Sequence, residues 1–118
     1  MTTTYDRSKR ISDLIMQEIS NMIVRSEIKD PRVRGVVITD ARVTPDLGLA
    51  KVYFTTIETG TEARSEALRG LNSARGFITR QLWRRFKMKK VPRIEFLFDT
   101  VLEEGYKIDE LLRSVSDD

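Results

Sequence analysis

Ile11, Leu14, Ile15, Ile19, Met22 and Ile23 recur at spacings of three and four, the pattern of a helix with one apolar face. Asp6 or Ser8 can cap its start and Pro31 forbids its continuation, so the pattern predicts a helix over residues 7–27. From Gly35 the chain turns β-rich, with Val36, Val37, Ile38 and Val43 in the first run. Thr44-Pro45-Asp46-Leu47-Gly48 then reads as a turn, with Pro45 presetting φ and Gly48 free to take φ > 0. The run 49–57 alternates Ala50, Val52, Phe54 and Thr56 against Lys51, Tyr53 and Thr55, which completes a β-hairpin. After Glu58-Thr59-Gly60, where Thr59 or Thr61 can act as a cap, Ala67, Leu68, Leu71, Ala74, Ile78, Leu82 and Phe86 form a second helical stripe over 62–88. Gly76 interrupts that stripe at a cost of about 1 kcal/mol relative to alanine. The stripe resumes beyond it, so a kink or a close backbone approach is expected there rather than a stop. Val91-Pro92 ends the helix, Ile94, Phe96 and Phe98 alternate as a third strand, and Asp99 or Thr100 can start a last helix carrying Ile108, Leu111, Leu112 and Val115.

The order α-β-β-α(kink)α-β-α predicts an α+β fold, one three-stranded sheet covered by helices, with Ala50, Val52, Phe54, Ile78, Leu82 and Phe96 buried. The helical crossover lets the third strand lie parallel to its neighbour, which a hairpin could not do. The 118 residues fit one domain, 1–118, with an ordered core of about 7–115. Hydrophobic residues make up 40% of the chain, enough for a core without metal or disulfide. Cysteine and histidine are absent, which excludes disulfides, Cys/His zinc sites, thiol or Ser-His-Asp nucleophiles and an imidazole base. No apolar run approaches the roughly 20 residues that span a bilayer, and the polar Met1, Thr2, Thr3, Thr4 and Tyr5 do not read as a secretory signal. A cytoplasmic protein with no membrane partner is expected.

Charge changes the picture more than composition does. Residues 1–66 hold ten basic and ten acidic side chains, residues 67–94 hold nine basic and no acidic ones, and residues 95–118 hold two basic and eight acidic ones. The modest net charge of +3 therefore conceals a concentrated cationic block: Arg69, Arg75, Arg80, Arg84, Arg85, Lys87, Lys89, Lys90 and Arg93. Local field rather than net charge attracts a polyanion, and single-sign blocks usually mark interaction surfaces. A solvated helix face followed by a basic loop is the plainer alternative.

Four sequence patterns, taken together, are specific. They are Ile28-Lys29-Asp30-Pro31-Arg32-Val33, Asp46-Leu47-Gly48-Leu49-Ala50-Lys51-Val52-Tyr53, Ala74-Arg75-Gly76-Phe77-Ile78, and Val91-Pro92 ahead of Phe96, Asp99, Gly105 and Leu111. In this order and spacing, over about 9–115, the chain resembles the ribosome-binding factor A family of bacterial small-subunit assembly factors. The resemblance implies a type II KH-like domain, a 30S subunit and 16S rRNA partner, and a kink at Ala74, Arg75 and Gly76. No GXXG occurs, so the usual four-nucleotide KH clamp is not implied. Arg93 stands where the family commonly has an acid, which makes this face more basic.

Helical phase places Arg80, Arg84 and Lys87 opposite Ile78. With Arg75, Arg85, Lys89, Lys90 and Arg93 they are the candidate rRNA contacts, because Lys and Arg neutralise phosphates. Arg7, Lys9 and Arg10 open the first helix against the preference of its dipole, so Lys9 and Arg10 join the candidates. Trp83 lies at the edge of the stripe. A partly buried core aromatic is the preferred reading of it, and stacking on an exposed base the other. Gly70 and Gly76 make no phosphate loop, since Phe77 stands where that motif needs lysine. Glu103-Glu104, Asp109-Glu110 and Asp117-Asp118 lack a calcium-loop pattern and read as a solvated face. The expectation is a monomeric, non-enzymatic RNA-binding assembly factor with no catalytic residue, metal, cofactor or small-molecule substrate. The alternative is a protein-interaction module using its acidic and basic segments.

Overall fold

The structure, a computed structural model, describes residues 4–101. Helix α1 spans Thr4–Val24 and stops three residues short of the expected end. Ser26 takes φ 57, the Glu27 N–H bonds to the Met22 carbonyl at 2.9 Å, and the Ser26 N–H bonds to that of Ile23 at 3.1 Å. This is a Schellman closure, which usually places glycine in the left-handed position. With serine there, at a cost of about 1–2 kcal/mol, nothing local in the sequence announces the stop. A one-turn 3₁₀ helix, Pro31–Val33, follows, capped by the Asp30 carboxylate accepting from the Arg32 N–H at 2.9 Å. Hydrogen bonds from the Arg32 guanidinium and backbone hold the Asp30 carboxyl below the usual range.

Strands β1 (Val36–Val43) and β2 (Leu49–Thr56) pair antiparallel, with a bulge at Thr39 between Ile38 and Asp40. In the turn joining them Leu47, not Gly48, takes the left-handed conformation, at φ 60. The Asp46 carboxylate accepts from the Thr44 hydroxyl at 2.7 Å and the Gly48 N–H at 3.0 Å, and an added Gly48 Cβ would sit 3.2 Å from it. The glycine therefore makes room for the folded-back carboxylate. Helix α2 (Thr61–Ser73) has Gly60 as its N-cap, φ 110, and neither Thr59 nor Thr61 makes the expected capping bond. Helix α3 is Arg75–Phe86, and β3 (Arg93–Phe98) lies parallel to β2, in the sheet order β1-β2-β3. This is the succession of a type II KH-like domain up to β3. Helical backbone begins again at Thr100 and Val101, where the Asp99 carboxylate accepts from the Val101 N–H at 3.0 Å. The remainder of the expected last helix, and the acidic pairs after it, lie outside the described residues.

The break between α2 and α3 is a single residue, Ala74, at φ −84 and ψ −5. Its N–H bonds to the Gly70 and Leu71 carbonyls at 3.1 Å, and its own carbonyl accepts from Ile78 at 2.9 Å. One helix thus ends and the next begins on one peptide. Gly76 lies inside the first turn of α3, and an added Cβ would meet only the tip of Arg80, at 3.3 Å. The close approach anticipated at Gly76 belongs instead to Gly70, where an added Cβ would lie 2.9 Å from Arg32 Cβ and 3.1 Å from Val33 Cγ1.

The core runs from Ile15, Ile19 and Met22 on α1, across Ala50, Val52, Phe54, Ile94 and Phe96 of the sheet, to Leu71, Ile78 and Leu82. All six positions expected to be buried are among the buried residues. Ser12, buried on α1, donates to the Ser8 carbonyl at 2.7 Å and accepts from the Val43 N–H at 2.9 Å, so it ties α1 to the end of β1. Ser12→Ala leaves that N–H without its acceptor and is expected to cost about 1–2 kcal/mol. The midpoint of urea unfolding, with the slope unchanged, measures the loss.

Candidate nucleic-acid interface

Three elements converge on one end of the sheet. Gly48 of the β1–β2 turn, Arg75, Gly76 and Thr79 of α3, and the connection from Lys90 into Arg93 and Ile94 line a groove of about 690 Å³. Arg75, Lys90 and Arg93 supply three cations to it, and among the described residues no carboxylate lines it. Their convergence follows from the fold: Ala74 starts α3 beside β3, and the Arg93 N–H bonds to the Gly48 carbonyl at 2.9 Å. Arg75 Nη1 reaches the Ile94 carbonyl at 3.4 Å, which steadies that side chain along the wall. Pro92, almost fully buried, fixes the connection between the lysines and β3.

From this groove a cationic stripe extends along α3. Arg80, Arg84 and Lys87 are exposed on the side away from buried Ile78 and Leu82. Lys87 closes the helix in the left-handed conformation, φ 49, and Lys89 and Lys90 follow it, both exposed. Among the described residues no salt bridge engages Arg80, Arg84, Lys87, Lys89, Lys90 or Arg93. A row of cations in no salt bridge among the described residues is available to an external polyanion without first breaking ion pairs. Lys90 does lie close enough to the Asp46 carboxylate to help the Thr44 hydroxyl and the Gly48 N–H lower its pKa.

Arg85 differs. Its guanidinium is hydrogen-bonded to Glu27 and lies 3.6 Å from Glu18, bridging α3 to the C-terminal part of α1. The Glu27 carboxylate, then Glu18, raise the Arg85 pKa further. Although the sequence groups Arg85 with the RNA contacts, its charge is committed within the fold. Helical phase carries the signal: residue 85 falls about 40° from the middle of the Ile78–Leu82 line, on the side facing the core. Arg69 pairs with Glu66 at 2.6 Å.

Trp83 overturns the expectation of a core aromatic, being 58% exposed. It lies about 120° from the middle of the line of α3 residues that are fully buried, Ile78 and Leu82. At the other candidate cluster, Lys9 is exposed and 3.7 Å from Asp13, and Arg10 is exposed beside Ile11 and Leu14. The Ser12–Val43 hydrogen bond, and the pairing of Val43 with Ala50 and of Ala50 with Ile94, put this start of α1 at the same end of the sheet as the groove. Among the described residues no helix is long and apolar enough to cross a membrane.

Comparison with known proteins adds independent findings. The family model for ribosome-binding factor A matches residues 7–112. Ribosome-binding factor A of Geotalea uraniireducens is 40% identical over 113 residues, covering 95% of this chain and 90% of that protein. The crystal structure of ribosome-binding factor A from Thermus thermophilus superposes with a TM-score of 0.67 at 24% identity, covering 77% of this chain and 93% of the other. A homology model of the Thermus thermophilus factor, fitted into the cryo-EM map of its complex with 30S, matches with a TM-score of 0.53 at 26% identity, covering 74% and 93%.

Proposed function

The chain belongs to the ribosome-binding factor A family, and on that footing we propose that it binds free or immature 30S subunits through 16S rRNA and assists the maturation of that RNA. The observation that carries the reading is the row of cations without salt-bridge partners among the described residues, from Arg75 through Arg80, Arg84, Lys87, Lys89 and Lys90 to Arg93. Arg10 and Lys9, the latter paired with Asp13, lie at the same end of the sheet and add positive charge beside it. The Thermus thermophilus relative in its 30S complex supports the partner. With no histidine or cysteine in the chain, the device proposed is occupancy rather than catalysis. A monomer in the cytoplasm seats itself on rRNA, favours one RNA conformation and leaves before the subunits join.

Binding shifts such an equilibrium only by its difference in affinity for the two states. Free small subunits are therefore expected to bind the protein better than assembled ribosomes do, and a tenfold preference corresponds to about 1.4 kcal/mol. Sedimentation of the tagged chain through sucrose gradients reads that preference. Cells lacking the protein should accumulate unjoined subunits and incompletely processed 16S rRNA. Equal association with joined ribosomes, together with normal processing in its absence, would refute the proposal and favour a protein-interaction module.

A further inference from the structure

We propose that Trp83 is a stacking platform for an unpaired base, so that the cationic face of α3 prefers RNA with a single-stranded nucleotide over fully paired duplex. This rests on the RNA-binding reading above and adds to it the form of RNA recognised.

Trp83 is the only tryptophan in the chain, and it is left largely in water. Among the described residues no ring or guanidinium packs on it in a stacking or cation–π contact. Its neighbours on the helix surface are Thr79 and the exposed Arg80, four and three residues before it, and the exposed Phe86, three residues after it. The exposed Arg84 and Lys87 lie next to it and just past the helix end in the chain. An exposed indole with Arg80, Arg84 and Lys87 near it suits a ligand that presents a flat π face beside phosphates. An unpaired nucleotide has both, whereas a duplex keeps its base faces inside the stack and offers phosphates alone. The cations alone would read either form through phosphate density, and the indole supplies the discrimination.

The same arrangement disfavours other occupants. A second copy docking symmetrically through Trp83 would set Arg80, Arg84 and Lys87 against their own equivalents. A lipid surface would need a broad apolar helix face, but on α3 only Phe86 accompanies Trp83 as an exposed large apolar side chain, and Ile78 and Leu82 are fully buried in the core.

The single tryptophan makes its own reporter. Titrating the full chain with a short single-stranded oligoribonucleotide should quench its emission, and a blunt RNA duplex with the same number of phosphates should quench it far less. With fluorescently labelled RNA, Trp83→Ala should weaken single-strand binding by roughly 5- to 150-fold, the range for loss of one base–aromatic stack. Trp83→Phe should recover most of that loss, and neither change should alter the salt dependence, since no phosphate contact is removed. The side chain is exposed, so both variants should keep the wild-type circular dichroism spectrum. If Trp83→Ala binds single strands as tightly as wild type, or if duplex quenches equally, the stacking role is refuted while RNA binding stands. If wild type binds neither RNA, both readings fall.

Discussion

Replacing Lys87, Lys89 and Lys90 together with alanine is expected to weaken rRNA binding by roughly 50- to 170-fold at 0.15 M salt, with the fold intact. The magnitude follows from counterion release. Each phosphate contact contributes about 0.7–0.9 to the slope of log affinity against log salt, so three contacts remove about 2.1–2.7 from it. Carried from 1 M down to 0.15 M salt, that change in slope gives the stated factor. The three lysines are exposed or at the helix end, and none has a salt-bridge partner among the described residues. Alanine at 87 meets the same left-handed strain as lysine, because both carry a Cβ. Fluorescence anisotropy over a series of salt concentrations measures slope and affinity together. An unchanged slope would move the contact surface elsewhere, first to Lys9 and Arg10. Arg85→Ala is the informative contrast: its guanidinium already faces Glu27 and Glu18, so its loss should lower stability and leave the salt slope almost unchanged.

The strands and the core were legible because their signals are local. Ala50, Val52 and Phe54, and again Ile94 and Phe96, alternate in the sequence and are buried in the sheet, and Ile78 and Leu82 keep helical spacing. The parallel third strand followed from the helical crossover between it and the hairpin. What escaped the sequence is mostly backbone set by distant packing. Ser26, Leu47 and Lys87 take positive φ without being glycine, so the ends of α1 and α3 and the shape of the hairpin turn carry no residue-type signal. The cationic surface was legible as a block of charge, but its division was not. Arg85 lies on the core side by phase, yet its partner Glu27 is 58 residues away in sequence. For Trp83 the phase pointed outward, while the usual burial of indoles pointed inward; the narrow Ile78–Leu82 line decided the outcome.

The two glycines of the interrupted helix should respond in opposite senses to alanine. Gly70→Ala is expected to destabilise the protein by up to about 2 kcal/mol, and Gly76→Ala to stabilise it by up to about 1 kcal/mol. Alanine is worth roughly 1 kcal/mol more than glycine in a helix interior, an upper bound at Gly76 in the first turn of α3. At Gly70 that gain is outweighed: the added methyl would press on Arg32 Cβ at 2.9 Å, Val33 Cγ1 at 3.1 Å and the Arg32 carbonyl carbon at 3.4 Å. Two of those contacts are with backbone or the buried Val33, so α2 must lift from the 3₁₀ turn, and overpacking of this kind costs about 1–3 kcal/mol or more. At Gly76 the only neighbour is the end of the Arg80 side chain, which can swing aside at little cost. Taking about 2.1 cal/mol/K per residue for the unfolding entropy, Gly70→Ala should lower Tm by up to roughly 8 °C. Scanning calorimetry of both variants measures the pair. A loss of stability at Gly76, with none at Gly70, would return the close approach to the kink and contradict the packing of α2 on Arg32 and Val33.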